Sequence, residues 1–80
     1  MDNNKRYIKE KINDVLIILN EQTNESYLLN ESATIVLESL EEGDSIEEII
    51  EKFKTIYGNN KSYVNDIGAI IEEFKIMQII

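Results

Sequence analysis

The fold turns on Ser26-Tyr27-Leu28-Leu29-Asn30-Glu31-Ser32-Ala33, where the spacing of apolar residues changes. Before this stretch they fall in short runs between polar segments; after it they recur every three or four positions. The first pattern belongs to strands and the second to amphipathic helices. Asn30 stands at the change, and its side chain can accept a hydrogen bond from the first turn of a helix. Ser26-Tyr27-Leu28-Leu29 therefore reads as a strand that runs directly into a helix.

Toward the N-terminus, Asn20-Glu21-Gln22-Thr23-Asn24-Glu25 has the length and polarity of a hairpin loop. Val15-Leu16-Ile17-Ile18-Leu19 precedes it, a β-branched run bounded by Asn13-Asp14 and Asn20. Tyr7 to Ile12 gives a further, weaker strand. Three antiparallel strands with one covered face are near the minimum for stability.

Toward the C-terminus, Ala33, Val36, Leu37 and Leu40 keep helical spacing as far as Gly43. Ser45-Ile46-Glu47-Glu48 is a capping box, which starts a second helix with Ile46, Ile49, Ile50, Phe53, Ile56 and Tyr57 on its apolar face. Gly58 supplies its stop. A third helix begins near Ser62 and carries Val64, Ile67, Ile70, Ile71 and Phe74. Gly68 lies inside it at a cost of about 1 kcal/mol relative to alanine, a cost that often accompanies close approach of another backbone. The ending Ile76-Met77-Gln78-Ile79-Ile80 is too apolar to be left wholly in water. The expected fold is α+β, a winged helix-turn-helix-like βββααα order in a single domain over residues 1–80.

Composition narrows the function. The 80 residues contain no histidine, cysteine, proline or tryptophan. That removes the usual general base near neutral pH, the thiolate nucleophile and the cysteine metal sites. Adjacent pairs such as Glu41-Glu42 and Glu72-Glu73 do not face each other on a helix, and no EF-hand spacing surrounds Asp44. The expectation is a non-enzyme with no catalytic residue, metal or cofactor. A net charge of −8 repels nucleic acid and anionic membrane surfaces. Residues 1–6 lead into no long apolar core and the longest apolar run, Val15 to Leu19, cannot span a bilayer. A soluble cytoplasmic protein is expected. From Glu38 to Glu51 seven acidic residues have no counter-charge; this is a solvated face, with steering of a basic partner as a secondary role.

Leu29-Asn30-Glu31-Ser32-Ala33 after a hairpin, then Glu42-Gly43-Asp44-Ser45-Ile46-Glu47-Glu48-Ile49, then Tyr57-Gly58, Val64, Asp66, Ile67 and Phe74, together resemble the PqqD-like family. These are small elements that recognise precursor peptides of ribosomally made, post-translationally modified products. The resemblance spans Val15 to Ile80. It departs at Val36 and Leu37, where a large aromatic is common, and at Gln78, where a glycine is usual. It implies a module that captures the leader region of a precursor peptide and serves a separate modifying enzyme of radical-SAM or leader-peptidase type. It also implies that the leader adds as a strand to Ser26, Tyr27, Leu28 and Leu29. Its side chains would then meet a groove wall of Tyr63, Ile67, Ile70, Ile71 and Phe74, where Gly68 suits close approach. Tyr63, Val64, Ile67, Ile70, Ile71 and Phe74 span too wide an arc to be buried against one partner.

Two other functions compete. Gly43-Asp44-Ser45-Ile46 resembles the phosphopantetheine site of a carrier protein, with the arm on Ser45. Carriers, however, begin with a helix, and Ser45 already serves as a cap. A DNA-binding winged helix has the right element order, but Asp66, Glu72 and Glu73 on its third helix would repel phosphate.

Overall fold

The computed structural model describes residues 7–13 and 15–80; readings that touch residues 1–6 and Asp14 lie outside the described residues. Strands β1 (Tyr7–Ile12), β2 (Val15–Asn20) and β3 (Glu25–Leu29) precede helices α1 (Glu31–Glu41), α2 (Ile46–Tyr57) and α3 (Val64–Ile76). The expected order is observed. The strands form one antiparallel sheet in the order β1-β2-β3. Ile12 pairs with Val15 across a two-residue connection in which Asn13 takes φ 58°, a left-handed conformation that asparagine tolerates.

Alternation assigns the two faces of the sheet. Leu16, Ile18 and Leu29 point inward and are buried, whereas Ile8, Ile12, Val15 and Leu28 point outward and are exposed. On the inner face Leu16, Ile18 and Leu29 join Val36, Leu37, Ile49, Phe53, Ile67 and Phe74 in one core. Helix α1 is the hub, packing on β3, α2 and α3. At the far edge of the sheet, the Tyr7 hydroxyl and Lys9 ammonium both donate to Glu41 at the end of α1, at 2.5 and 2.6 Å. Burial, with Glu41 beside it, pushes the Tyr7 phenol far up.

The helix ends follow local chemistry. Asn30 Oδ1 accepts from the Ala33 N–H at 2.9 Å. Ser45 and Glu48 form the reciprocal capping box, with Glu48 Oε1 accepting from the Ser45 N–H at 2.7 Å and Ser45 Oγ from the Glu48 N–H at 3.2 Å. Lys52 then ties α2 to the end of α1, donating to the buried Ser39 hydroxyl at 2.9 Å and pairing with Asp44 at 2.6 Å.

At the end of α3 the Ile79 N–H reaches Phe74 O and the Gln78 N–H reaches Lys75 O, with Gln78 at φ 62°. This is a Schellman motif, with Ile79 folded back into the core beside the last turn of α3. Gln78 occupies the left-handed position where glycine is favoured, which explains the departure noted in the sequence. Gln78→Gly should therefore raise stability by about 1 kcal/mol, read as a higher urea midpoint at unchanged slope. The apolar ending is thus only partly covered: Ile79 is buried and Met77 half-buried, while Ile76 and Ile80 stay exposed.

Candidate functional site: the open edge of β3 and the flanks of α3

Both β1 and β3 are edge strands among the described residues, and they are armed differently. β1 reads Tyr-Ile-Lys-Glu-Lys-Ile, with three charges in six residues. Charges, lysine above all, are how proteins discourage pairing at an edge. β3 reads Glu-Ser-Tyr-Leu-Leu and has one charge, at its start. The sheet is guarded on one side and open on the other.

The register fixes which β3 groups face outward. A two-residue connection makes Ile12 and Val15 a hydrogen-bonded pair, so Val15, Ile17 and Leu19 direct their backbone groups toward β1. Leu16, Ile18 and Asn20 therefore direct theirs toward β3, where they pair with Leu29, Tyr27 and Glu25. The Asn24 N–H donating to Asn20 O at 2.7 Å agrees with this parity. Ser26 and Leu28 are left with N–H and C=O groups turned to the open edge. Their side chains lie on the outer face, and Leu28 is 73% exposed. Tyr27 is half-buried on the inner face, with its hydroxyl donating to Glu25 at 2.6 Å. That bond holds the Tyr27 phenol above its ordinary value.

The expected groove wall on α3 separates into three groups. Ile67 and Phe74 are 0% and 1% exposed, at the centre of the face that packs into the core. In this structure their side chains are closed off from solvent and serve the core, and Ile70 and Ile71 lie nearer the surface. Leu29 and Tyr63 are likewise buried; Leu29 packs under the sheet, and Tyr63 donates to Gly58 O at 2.8 Å. Ile70, half-buried, faces a cleft of about 510 Å³ between α2 and α3. Ile71 lies about 100° further round the helix, on the other flank, with Val64 and Gly68 at helical spacing. Nothing lies within 4 Å of a Cβ built on Gly68, so no other part of the described chain closes on it.

The cleft has an aromatic floor. The Phe53 ring meets Tyr57 and Tyr63 edge-on, with centroids 5.5 Å apart in both cases. Its rim is polar: the Tyr57 hydroxyl bonds Glu31 at 3.1 Å and Ser32 at 3.3 Å. Lys61 pairs with Asp66 at 3.0 Å and lies 5.4 Å over the Tyr63 ring. The hydrogen bond to Asp66 raises the Lys61 ammonium above its ordinary value.

Asn20, which in the sequence marks only the boundary between a strand and its loop, has a structural role. It is fully buried: its Nδ2 donates to Met77 O at 2.7 Å, while its Oδ1 accepts from Gln22 and Thr23 at 2.9 and 3.3 Å. It thereby fastens the β2–β3 loop to the end of α3. A polar residue at the end of an apolar run was the only sequence signal.

Among the described residues no group of metal-ligating side chains converges, and no helix is long and apolar enough to cross a membrane. A three-stranded antiparallel sheet followed by three helices is the fold of peptide-bound TbiB1. The structure described as "TbiB1 in Complex with the TbiA(beta) Leader Peptide" superposes with a TM-score of 0.83, covering 99% of this chain and 93% of that one at 21% sequence identity. The family described as "Coenzyme PQQ synthesis protein D (PqqD)" matches residues 16–76, and the chain belongs to that family. None of the curated proteins matches the sequence.

Proposed function

We propose that this protein is a non-catalytic module that captures the leader segment of a ribosomally made precursor peptide by strand addition at β3 and presents it to a separate modifying enzyme in the cytoplasm. The observation that carries this reading is the unguarded β3 edge, where Ser26 and Leu28 hold unpaired backbone donors and acceptors in line. Main-chain bonds of this kind supply affinity, and side-chain pockets beside them supply selectivity. Family membership and the peptide-bound relative support it. The second wall would be the flank of α3 turned away from the α2 cleft, with Val64, Gly68 and Ile71. Tyr27 and Ile71 are then the peptide-facing side chains and Ser26 and Leu28 supply the open backbone groups, while Ile70 faces the α2 cleft on the opposite flank of α3. A carrier role for Ser45 has no comparable support, since its hydroxyl and N–H are both engaged in the capping box.

Two proline variants test the reading. Leu28→Pro deletes an outward N–H and leaves the β2–β3 ladder its donors, so binding should fall about tenfold or more in a protein that still melts cooperatively. Tyr27→Pro deletes an inward donor and should lower the melting temperature instead. The measurement is calorimetric titration with a synthetic leader segment of a candidate precursor, chosen from any short reading frames found near the gene. A folded Leu28→Pro variant that binds this leader as tightly as the parent overturns strand addition at β3.

A further inference from the structure

The outer face of the sheet is apolar at its centre and, at Leu28, as far as its open edge. Glu10 pairs with Ile17 and Ile17 with Leu28, so these three side chains form one row across the outside. Ile8, Leu19 and Ser26 form the next row, and Glu10 is the one charge in either. Leu28 ends its row with a neighbour on one side and none on the other. On the inner face the corresponding row runs Lys9, Ile18, Tyr27 and also ends at the open edge. An added strand would therefore meet an apolar or aromatic side chain on both faces.

We infer that the peptide captured at β3 carries a branched or aromatic apolar residue on its outward face, directly beside Leu28, as well as its groove-facing residues. This rests on strand addition at β3 and goes beyond it by naming the residue class on the outer face. A residue paired with Leu28 places its Cβ about 4.5–5.5 Å away and covers surface that is otherwise in water. Its neighbours in the peptide, one position either way, point inward toward Tyr27. The docking segment is then a short unbroken apolar run, not an alternation of apolar and polar residues. A second copy of this chain is the poorer occupant of the edge, because each copy carries a net charge of −8.

The test is selection of a random 20-residue peptide library by messenger-RNA display on immobilised wild-type protein, Leu28→Lys and Leu28→Pro, with thermal melts to verify folding. Leu28 is exposed, so lysine there leaves the core intact. Wild type should enrich peptides with consecutive apolar residues. Leu28→Lys should turn one of those positions acidic and leave its neighbours apolar. A synthetic wild-type-selected peptide should bind Leu28→Ser roughly two- to five-fold more weakly. The same motif enriched on wild type and Leu28→Lys overturns this inference while strand addition stands. Enrichment that survives Leu28→Pro overturns strand addition itself, and no enrichment on wild type overturns both. Wild-type dimers in light scattering that vanish in Leu28→Lys assign the edge to a second copy and overturn the inference.

Discussion

Phe74→Ala is expected to cost about 3–5 kcal/mol in urea unfolding, and Ile67→Ala about 2–5 kcal/mol. Both side chains are closed off from solvent at the meeting of α3 with the core, so each truncation leaves a cavity as well as losing apolar burial. Small domains hold about 5–15 kcal/mol in total, so Phe74→Ala should lose a large fraction of the stability and melt at a markedly lower temperature. Ile71→Ala removes a half-buried side chain on the α3 flank and should cost less than half as much. Binding follows a different order. Ile71→Ala should weaken leader capture in a folded protein, whereas Ile67→Ala should lose binding only as far as it loses structure. An Ile67→Ala protein as stable as the parent but unable to bind would place Ile67 in the groove and contradict its burial.

The second large effect concerns Asn20. Asn20→Ala removes the donor to Met77 O and the acceptor for Gln22 and Thr23 in one step. Leaving a buried carbonyl without its partner costs about 1–3 kcal/mol, and the loop bonds add to that; a loss of about 2–4 kcal/mol is expected. Asn20→Asp separates the two jobs. The carboxylate still accepts from the loop but faces the Met77 carbonyl, so burial and that oxygen raise its pKa in the folded state. A raised folded pKa gives stability that is present at low pH and lost as pH rises through it. Relative to the parent, Asn20→Asp should therefore be least stable at neutral pH and regain part of the loss as the carboxyl is protonated. Urea unfolding of both proteins at neutral and mildly acidic pH measures this; a deficit independent of pH would show that Asn20 does not act through its donor.

Most of the architecture was legible in the sequence because local chemistry and hydrophobic period agree. Asn30, the Ser45–Glu48 box, Gly43 at φ 85° and Gly58 at φ 103° each mark a boundary whose geometry demands that residue type. The site was less legible. Val64, Ile67, Ile70, Ile71 and Phe74 all sit at helical spacing, and spacing alone cannot say which lie at the centre of the buried face. That depends on where α1 and α2 pack, and neither position is a local property. The direction of the backbone groups in β3 was equally hidden, because it descends from the two-residue connection between β1 and β2. Gly68 suggested a neighbour, and the folded chain leaves that place open.

The contrast between the two sheet edges also limits what the protein can assemble into. A head-to-tail filament needs a donor edge and an acceptor edge on every copy, so that each unit leaves the next a place to join. Here Lys9, Glu10 and Lys11 make β1 a poor acceptor, and growth can start only from β3. Whatever strand joins there has no equally receptive edge on the opposite side of the molecule to pass the pattern on. An exposed strand with a single charge at its start, a polymerisation hazard in a symmetric sheet, becomes a terminus that fills once.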